Sequence, residues 1–119
     1  VYTSENLSLA ALELFVHISP GIIPADLISI RGTLPDSVSA EEVDESHLPG
    51  NWRAYPAPNE LQTIGTDWLL GLTSLVLKVP SAINSLETNI LLNPAHPDIK
   101  KLKVITAQPF QFDPRMFGK

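Results

Sequence analysis

Leu75-Val76-Leu77-Lys78-Val79-Pro80-Ser81-Ala82-Ile83-Asn84-Ser85-Leu86-Glu87-Thr88-Asn89-Ile90-Leu91-Leu92 is the stretch on which the fold turns. It holds two short apolar runs, residues 75–79 and Thr88–Leu92. Pro80 closes the first and Asn93-Pro94 the second. Runs of this length, bounded by turn residues, predict strands. Their apolar character, continuous enough despite Lys78 and Asn89, predicts central strands covered on both faces rather than half-exposed ones. Toward the N-terminus, residues 1–3 read as a strand already in progress, which predicts a segment upstream of Val1. Ser4 is a candidate cap for a helix running to about Ile18, where Ser19-Pro20-Gly21 stops it. Residues 26–32 alternate as a strand does, and residues 37–43 read as its weaker partner across a Pro35-Asp36 turn. Residues 44–58 are loop-like. A second helix is expected from near Asn59 toward Leu70, with Leu61, Ile64, Trp68 and Leu72 at spacings of three and four. Beyond the central stretch, residues 97–102 predict a short helical turn, and residues 104–106 and 110–112 the last strands. Strand, helix, strands, helix and strands describe an α+β fold, not a regular βαβ alternation.

The composition sets the outer limits. The chain has 119 residues, 44% hydrophobic and 18% charged, which suits one globular domain. Eleven prolines cut it into short elements, and no repeat or inter-domain linker is visible. Eight Lys and Arg stand against 13 Asp and Glu, a net charge of −5. That balance argues against binding nucleic acid or an anionic membrane as the main task. The absence of Cys removes disulfides, thiolate nucleophiles, iron–sulfur clusters and Cys-ligated zinc. No apolar run approaches the roughly 18 residues of a membrane span, so no membrane partner is expected. The expected location is cytoplasmic.

The first helix is the most informative place to look for chemistry. It is apolar almost all round, which predicts burial on most faces. The polar stripe left on it is Asn6, Glu13 and His17, within about 40° of one another on the helical wheel, with Glu13 and His17 at i and i+4. A carboxylate on such a helix either marks a solvated edge or lines a wet cleft, because burying it unpaired is costly. Tyr2, on the strand just before the helix, is either a core aromatic or a ligand contact. Ser81 leaves the first apolar run behind Pro80 and reads as a turn-capping serine or a site residue; no G-x-S-x-G elbow surrounds it. His96 and Asp98, in Asn93-Pro94-Ala95-His96-Pro97-Asp98, are a weak metal signal beside their reading as turn and cap residues. His17, His47 and His96 share no ligand spacing. No phosphate-binding glycine loop and no H-E-x-x-H occurs.

Taken together, these segments resemble the RES domain, named for an Arg, a Glu and a Ser. The similarity runs through Tyr2-Thr3-Ser4-Glu5 and Ala10-Ala11-Leu12-Glu13-Leu14-Phe15-Val16-His17. It continues through Leu48-Pro49-Gly50-Asn51-Trp52-Arg53, then Leu61-Gln62 with Gly65-Thr66-Asp67-Trp68-Leu69, and the segment from Leu75 to Ala82. It ends with the segment from Asn89 to Asp98 and Phe110-Gln111-Phe112-Asp113-Pro114-Arg115-Met116-Phe117. Each piece is modest, and their order and spacing make the set specific. The resemblance implies a single RES-like domain over residues 1–119 that lacks its N-terminal segment. Its fold would be an ADP-ribosyltransferase-like mixed sheet with flanking helices. Glu13 would be the family glutamate and Ser81 the family serine. The family arginine lies in a G-x-R-W-N-like stretch that would fall upstream of Val1; Arg31, Arg53 and Arg115 sit in the wrong segments to replace it.

The implied function is that of an NAD-consuming toxin of a bacterial type II toxin–antitoxin pair, which cleaves the nicotinamide–ribose bond or transfers ADP-ribose. NAD would be the substrate, with no other cofactor and no metal. The implied partner is an Xre-like helix-turn-helix antitoxin, with DNA reached only through it, and a homodimer is compatible with the family. Glu13 would stabilise an oxocarbenium-like transition state. Tyr2 would stack on or hydrogen-bond the nicotinamide–ribose end, and Ser81 would hydrogen-bond the substrate. His17 and His96 would be further substrate contacts, the first by orienting Glu13. Two other classes stay open: a non-catalytic interaction module of the same fold, and a metal-dependent hydrolase using His96 and Asp98.

Overall fold

The computed structural model describes residues 1–19 and 21–118. The strands, in chain order, are β1 (Tyr2–Ser4), β2 (Ile28–Thr33), β3 (Ala40–Glu42), β4 (Val76–Pro80), β5 (Thr88–Leu92) and β6 (Lys103–Pro109). The two α-helices are α1 (Leu7–Phe15) and α2 (Asn59–Gly71), and 3-10 turns occupy Glu45–His47, Pro97–Lys101 and Pro114–Phe117. The class is α+β, as the order of patterns predicts.

The two apolar runs become the middle of a four-stranded sheet of order β1-β5-β4-β3. β4 and β5 are antiparallel, with Val76 opposite Leu92 and Lys78 opposite Ile90. β1 joins β5 antiparallel and β3 joins β4 parallel, so the sheet is mixed. Val76 and Leu77 point to opposite faces and both are buried, while Lys78 is exposed. Cover on both faces therefore holds at the start of β4 and ends at its lysine. Leu75, Val76 and Leu92 form the core, joined by Leu34, Val38, Ile90, Ile99 and Leu102.

Three local expectations are corrected by longer-range contacts. Residues 37–43 do not pair with the alternating strand before them. The core draws in Leu34 and Val38, and the Leu75 N–H donates to Ser39 Oγ while the Val76 N–H donates to Ser39 O. This chain segment is therefore laid parallel to β4. β2 pairs instead with β6, antiparallel from Ile28 opposite Pro109 to Thr33 opposite Lys103, with an irregularity between Arg31 and Gly32. Residues 104–106 and 110–112 are not two strands. β6 is one strand that ends at Pro109, and Phe112 is then buried, with its ring 6.1 Å from Phe15 and 5.9 Å from Phe117.

The third correction concerns α1. Asn6 caps it, with Oδ1 accepting the Leu9 N–H at 2.8 Å. Ser4 is in β1 and has another partner. The helix ends at Phe15, where His17 N–H to Leu14 O and Ile18 N–H to Phe15 O tighten the chain into i to i−3 turns. Gly21, at φ 85°, supplies a left-handed turn beyond it, and Pro20, named above as part of the stop, lies outside the described residues. Burial on most faces is not found: Leu9 is the helix's buried residue, and Leu7, Leu12 and Leu14 are exposed. The cause is placement, since α1 packs on β1 at the sheet's edge. α2 matches its predicted range and ends at Leu72 in the left-handed region, φ 54°.

Candidate active site

The antiparallel register of β4 and β5 sets Pro80 opposite Thr88, so Ser81 and Asn89 emerge at the same end of neighbouring strands. The Ser81 N–H closes the intervening loop onto Glu87 O at 3.0 Å. β1 adds Ser4 opposite Asn89, and its Oγ donates to Asn89 Oδ1 at 2.7 Å. α1 follows β1 after a two-residue turn and carries Glu13 over this end of the sheet.

There Glu13 Oε1 accepts two hydrogen bonds, from Ser81 Oγ at 2.6 Å and from Asn89 Nδ2 at 2.7 Å. Asn89 Nδ2 also donates to the Tyr2 hydroxyl at 2.7 Å. Ser81 and Asn89 are both 0% exposed, and Glu13 is half-buried. Ser81 Oγ in turn accepts the N–H groups of Ile83 and Asn84, each at 3.2 Å. Its proton goes to the carboxylate and its oxygen accepts both N–H groups, so Ser81 is tied to Glu13 on one side and to its own loop on the other. The serine caps a turn, as one of its two readings has it, and it also hydrogen-bonds Glu13. Asn89 likewise has a partner at each end of its amide, donating to Glu13 and Tyr2 and accepting from Ser4.

One oxygen of Glu13 is thus fixed and the other is open. Oε2 makes no hydrogen bond among the described residues, and no buried side-chain polar atom there lacks a partner, so Oε2 reaches solvent. Glu13 lines a cleft of about 500 Å³ with Tyr2, Ser4, Ala10, Leu14 and His17. The Tyr2 phenol is pushed above its ordinary pKa, first by burial and then by the Glu13 carboxylate, against the lowering effect of the Asn89 hydrogen bond. It therefore stays protonated at neutral pH. Because Asn89 donates to its oxygen, its own proton is directed away from that amide. A second groove, of about 540 Å³, is lined by Glu42, Asp44, Glu45, Leu86 and Glu87 and contains none of these residues.

The structure brings Tyr2, Glu13 and Ser81 into one bonded network, with His17 exposed on the cleft wall one turn beyond Glu13. It places His96 elsewhere. His96 stands four residues past the far end of β5, caps the turn Pro97–Lys101, and its Nδ1 accepts the Asp98 N–H at 3.1 Å. The Asp98 carboxylate faces Lys101 at 3.4 Å. Among the described residues no group of three or more His, Cys, Asp or Glu could hold a metal ion. Sequence reasoning missed Asn89 and the role of Ser4. A lone asparagine inside an apolar strand was the available signal, since a buried amide demands partners.

The RES domain model matches residues 1–113. The chain belongs to the RES-domain family. One relative, the "Prs ADP-ribosylating toxin" of Sphingobium sp. (strain YBL2), is 38% identical over 121 residues, covering 100% of this chain and 75% of its own. A "Toxin Res" of Yersinia enterocolitica is 36% identical over 117 residues, covering 98% of this chain and 76% of its own. A "Toxin Res" of Pseudomonas putida is also 36% identical, over 119 residues, with 98% and 79% covered. In this RES domain the glutamate and serine singled out by the resemblance stand 2.6 Å apart although 68 positions separate them in the chain. No helix among the described residues is long and apolar enough to cross a membrane.

Proposed function

We propose that this RES domain is the catalytic core of a toxin that breaks the nicotinamide–ribose bond of NAD and passes the ADP-ribose to water or to another acceptor. The observation that carries the reading is the Glu13 carboxylate, on a residue that lines the cleft, anchored through Oε1 by two buried donors while Oε2 has no partner among the described residues. When the glycosidic bond breaks, nicotinamide leaves with the bonding electron pair and becomes neutral. Positive charge then develops on the ribose. A carboxylate held beside that charge, with its orientation already fixed, lowers the barrier without reorganising in the reaction. Ser81 and Asn89 supply the fixing. The Tyr2 proton is available to an oxygen of the nicotinamide–ribose end, and His17 borders the same space. Arg31, Arg53 and Arg115 do not line the cleft, so none of them is assigned a substrate phosphate.

The names of the Sphingobium, Yersinia and Pseudomonas relatives support a toxin, and the first supports ADP-ribosyl chemistry. A toxin that consumes NAD must be held silent, which is the reason to propose a helix-turn-helix antitoxin of the Xre type as partner, in the cytoplasm of a bacterium. A net charge of −5 gives this chain little attraction for DNA, so operator binding is assigned to the complex. The deciding experiment incubates the full-length protein with NAD and identifies the products by mass. Free nicotinamide with ADP-ribose, or with an ADP-ribosylated acceptor, is the expected result. Intact NAD after prolonged incubation with folded protein would refute the reading.

A further inference from the structure

Arg53 lies outside the cleft, yet it grips the loop that holds Ser81. Its Nε donates to Ala82 O at 2.8 Å and its Nη2 to Ile83 O at 3.4 Å. These two carbonyls have a particular relation to the site. The Ala82 carbonyl belongs to the same peptide group as the Ile83 N–H, and the Ile83 carbonyl to the same group as the Asn84 N–H. Those are the two N–H groups that donate to Ser81 Oγ. In a planar trans peptide the C=O and N–H point in opposite directions. The guanidinium therefore holds, from behind, the two peptide groups whose front ends hold the serine. A cation on a carbonyl also polarises the N–H across the same group and strengthens it as a donor.

The backbone that presents Arg53 is itself tied down. Trp52 is buried, with Nε1 donating to Glu45 Oε1 at 3.3 Å. The Trp52 N–H donates to Pro49 O and the Ala54 N–H to Asn51 O, so the residues on either side of Arg53 sit in successive turns. Among the described residues the guanidinium makes no ion pair. Its fork is suited to two adjacent carbonyls in a way a lysine ammonium is not.

We propose that Arg53 is a positioning residue for Glu13. It fixes the peptide groups 82–83 and 83–84, these fill the lone pairs of Ser81 Oγ, and the serine is left with one direction for its proton, toward Glu13 Oε1. The inference rests on the reading of Glu13 as the catalytic carboxylate. It adds a third layer behind it, built from a residue that touches neither substrate nor carboxylate.

The test uses the full-length protein with Arg53→Ala, Ser81→Ala and the double variant. NAD turnover is measured as kcat and KM, with melting temperature and amide hydrogen exchange alongside. Arg53→Ala is expected to lower kcat about tenfold or more, the scale of a small misplacement at a reacting centre, and to leave KM nearly unchanged. The double variant is expected to be no slower than Ser81→Ala alone, because the effect of Arg53 passes through the serine. Losses that multiply in the double variant, or an unchanged kcat in Arg53→Ala, would overturn the proposal. Should the wild-type protein leave NAD intact, the functional reading fails, and exchange decides the Arg53 question by itself. Faster exchange of the Ile83 and Asn84 amides in Arg53→Ala, with the β4–β5 amides unaltered, is the expected result; unchanged exchange at those two amides refutes it.

Discussion

Glu13→Gln separates the charge of the site from its architecture. A glutamine keeps the length of the side chain, and its carbonyl oxygen can accept from Ser81 Oγ and Asn89 Nδ2 as Oε1 does at 2.6 and 2.7 Å. The amide nitrogen then takes the place of Oε2 and faces the cleft. Two charge-assisted hydrogen bonds become neutral ones, a loss of about 1–2 kcal/mol in total, offset in part because a half-buried charge is removed. The fold should survive this, with a melting temperature lower by no more than about 10 °C. Turnover has no such protection. The developing positive charge on the ribose meets an N–H dipole where a carboxylate stood, and a rate loss of about 10²–10³ follows, or about 2.7–4 kcal/mol of transition-state stabilisation. The assay is nicotinamide release from NAD, run well below the melting temperature of both proteins, with circular dichroism to establish folding. Near-normal turnover by the folded variant would refute the assignment of Glu13.

Two further substitutions probe the network and the sheet. Asn89→Asp replaces a shared donor with an acidic oxygen between Glu13 and Tyr2; two carboxylates in contact cannot both ionise, so the variant should lose at least about 3 kcal/mol at pH 7 and recover part of it as pH falls from neutrality toward the unfolded carboxylate pKa of about 4, the window in which the folded pair binds a shared proton and the unfolded chain does not. A wild-type melting temperature at pH 7 would show that the amide orientation is wrong. Glu41 is held below its ordinary pKa by hydrogen bonds from Ser74 and then Thr73, so its contribution to stability is present above the unfolded carboxylate pKa of about 4.3 and is lost as pH falls through the folded value. Glu41→Gln should therefore flatten the acid limb of the stability–pH curve below pH 5, and an acid limb identical to wild type would count against that bond.

The parts of the fold that were legible in the sequence are those decided by local burial. A strand covered on both faces is mostly apolar, and this made β4 and β5 readable from residues 75–79, broken by Lys78, and from Thr88–Leu92, whose last three residues are apolar. Strand pairing is a different kind of information. Residues 37–43 looked like the partner of the strand before them, and only the pull of Val38 and Leu34 into a core built around Leu75 shows why β3 runs beside β4. The same division runs through the site. Glu13 stood out because a carboxylate on an apolar helix must be paired or wet, and it is both. Of its two partners, Ser81 stood out through the family resemblance, whereas Asn89 had a sufficient local explanation. Ser4 reads locally as a helix cap, yet its hydroxyl donates to Asn89, 85 residues away, and Asn6 does the capping. Ser81 reads from its own segment as a turn serine, which it is, and the bond to Glu13 comes on top of that. Asn89 passed as part of an apolar strand. Yet an asparagine at 0% exposure, whose amide must find a partner for both protons and its oxygen, is no more economical in a strand than Glu13 is on its helix. Two polar residues that each break an apolar element, and that neither element can satisfy alone, predict each other as partners. Here that rule joins α1 to β5 at 2.7 Å across 76 positions.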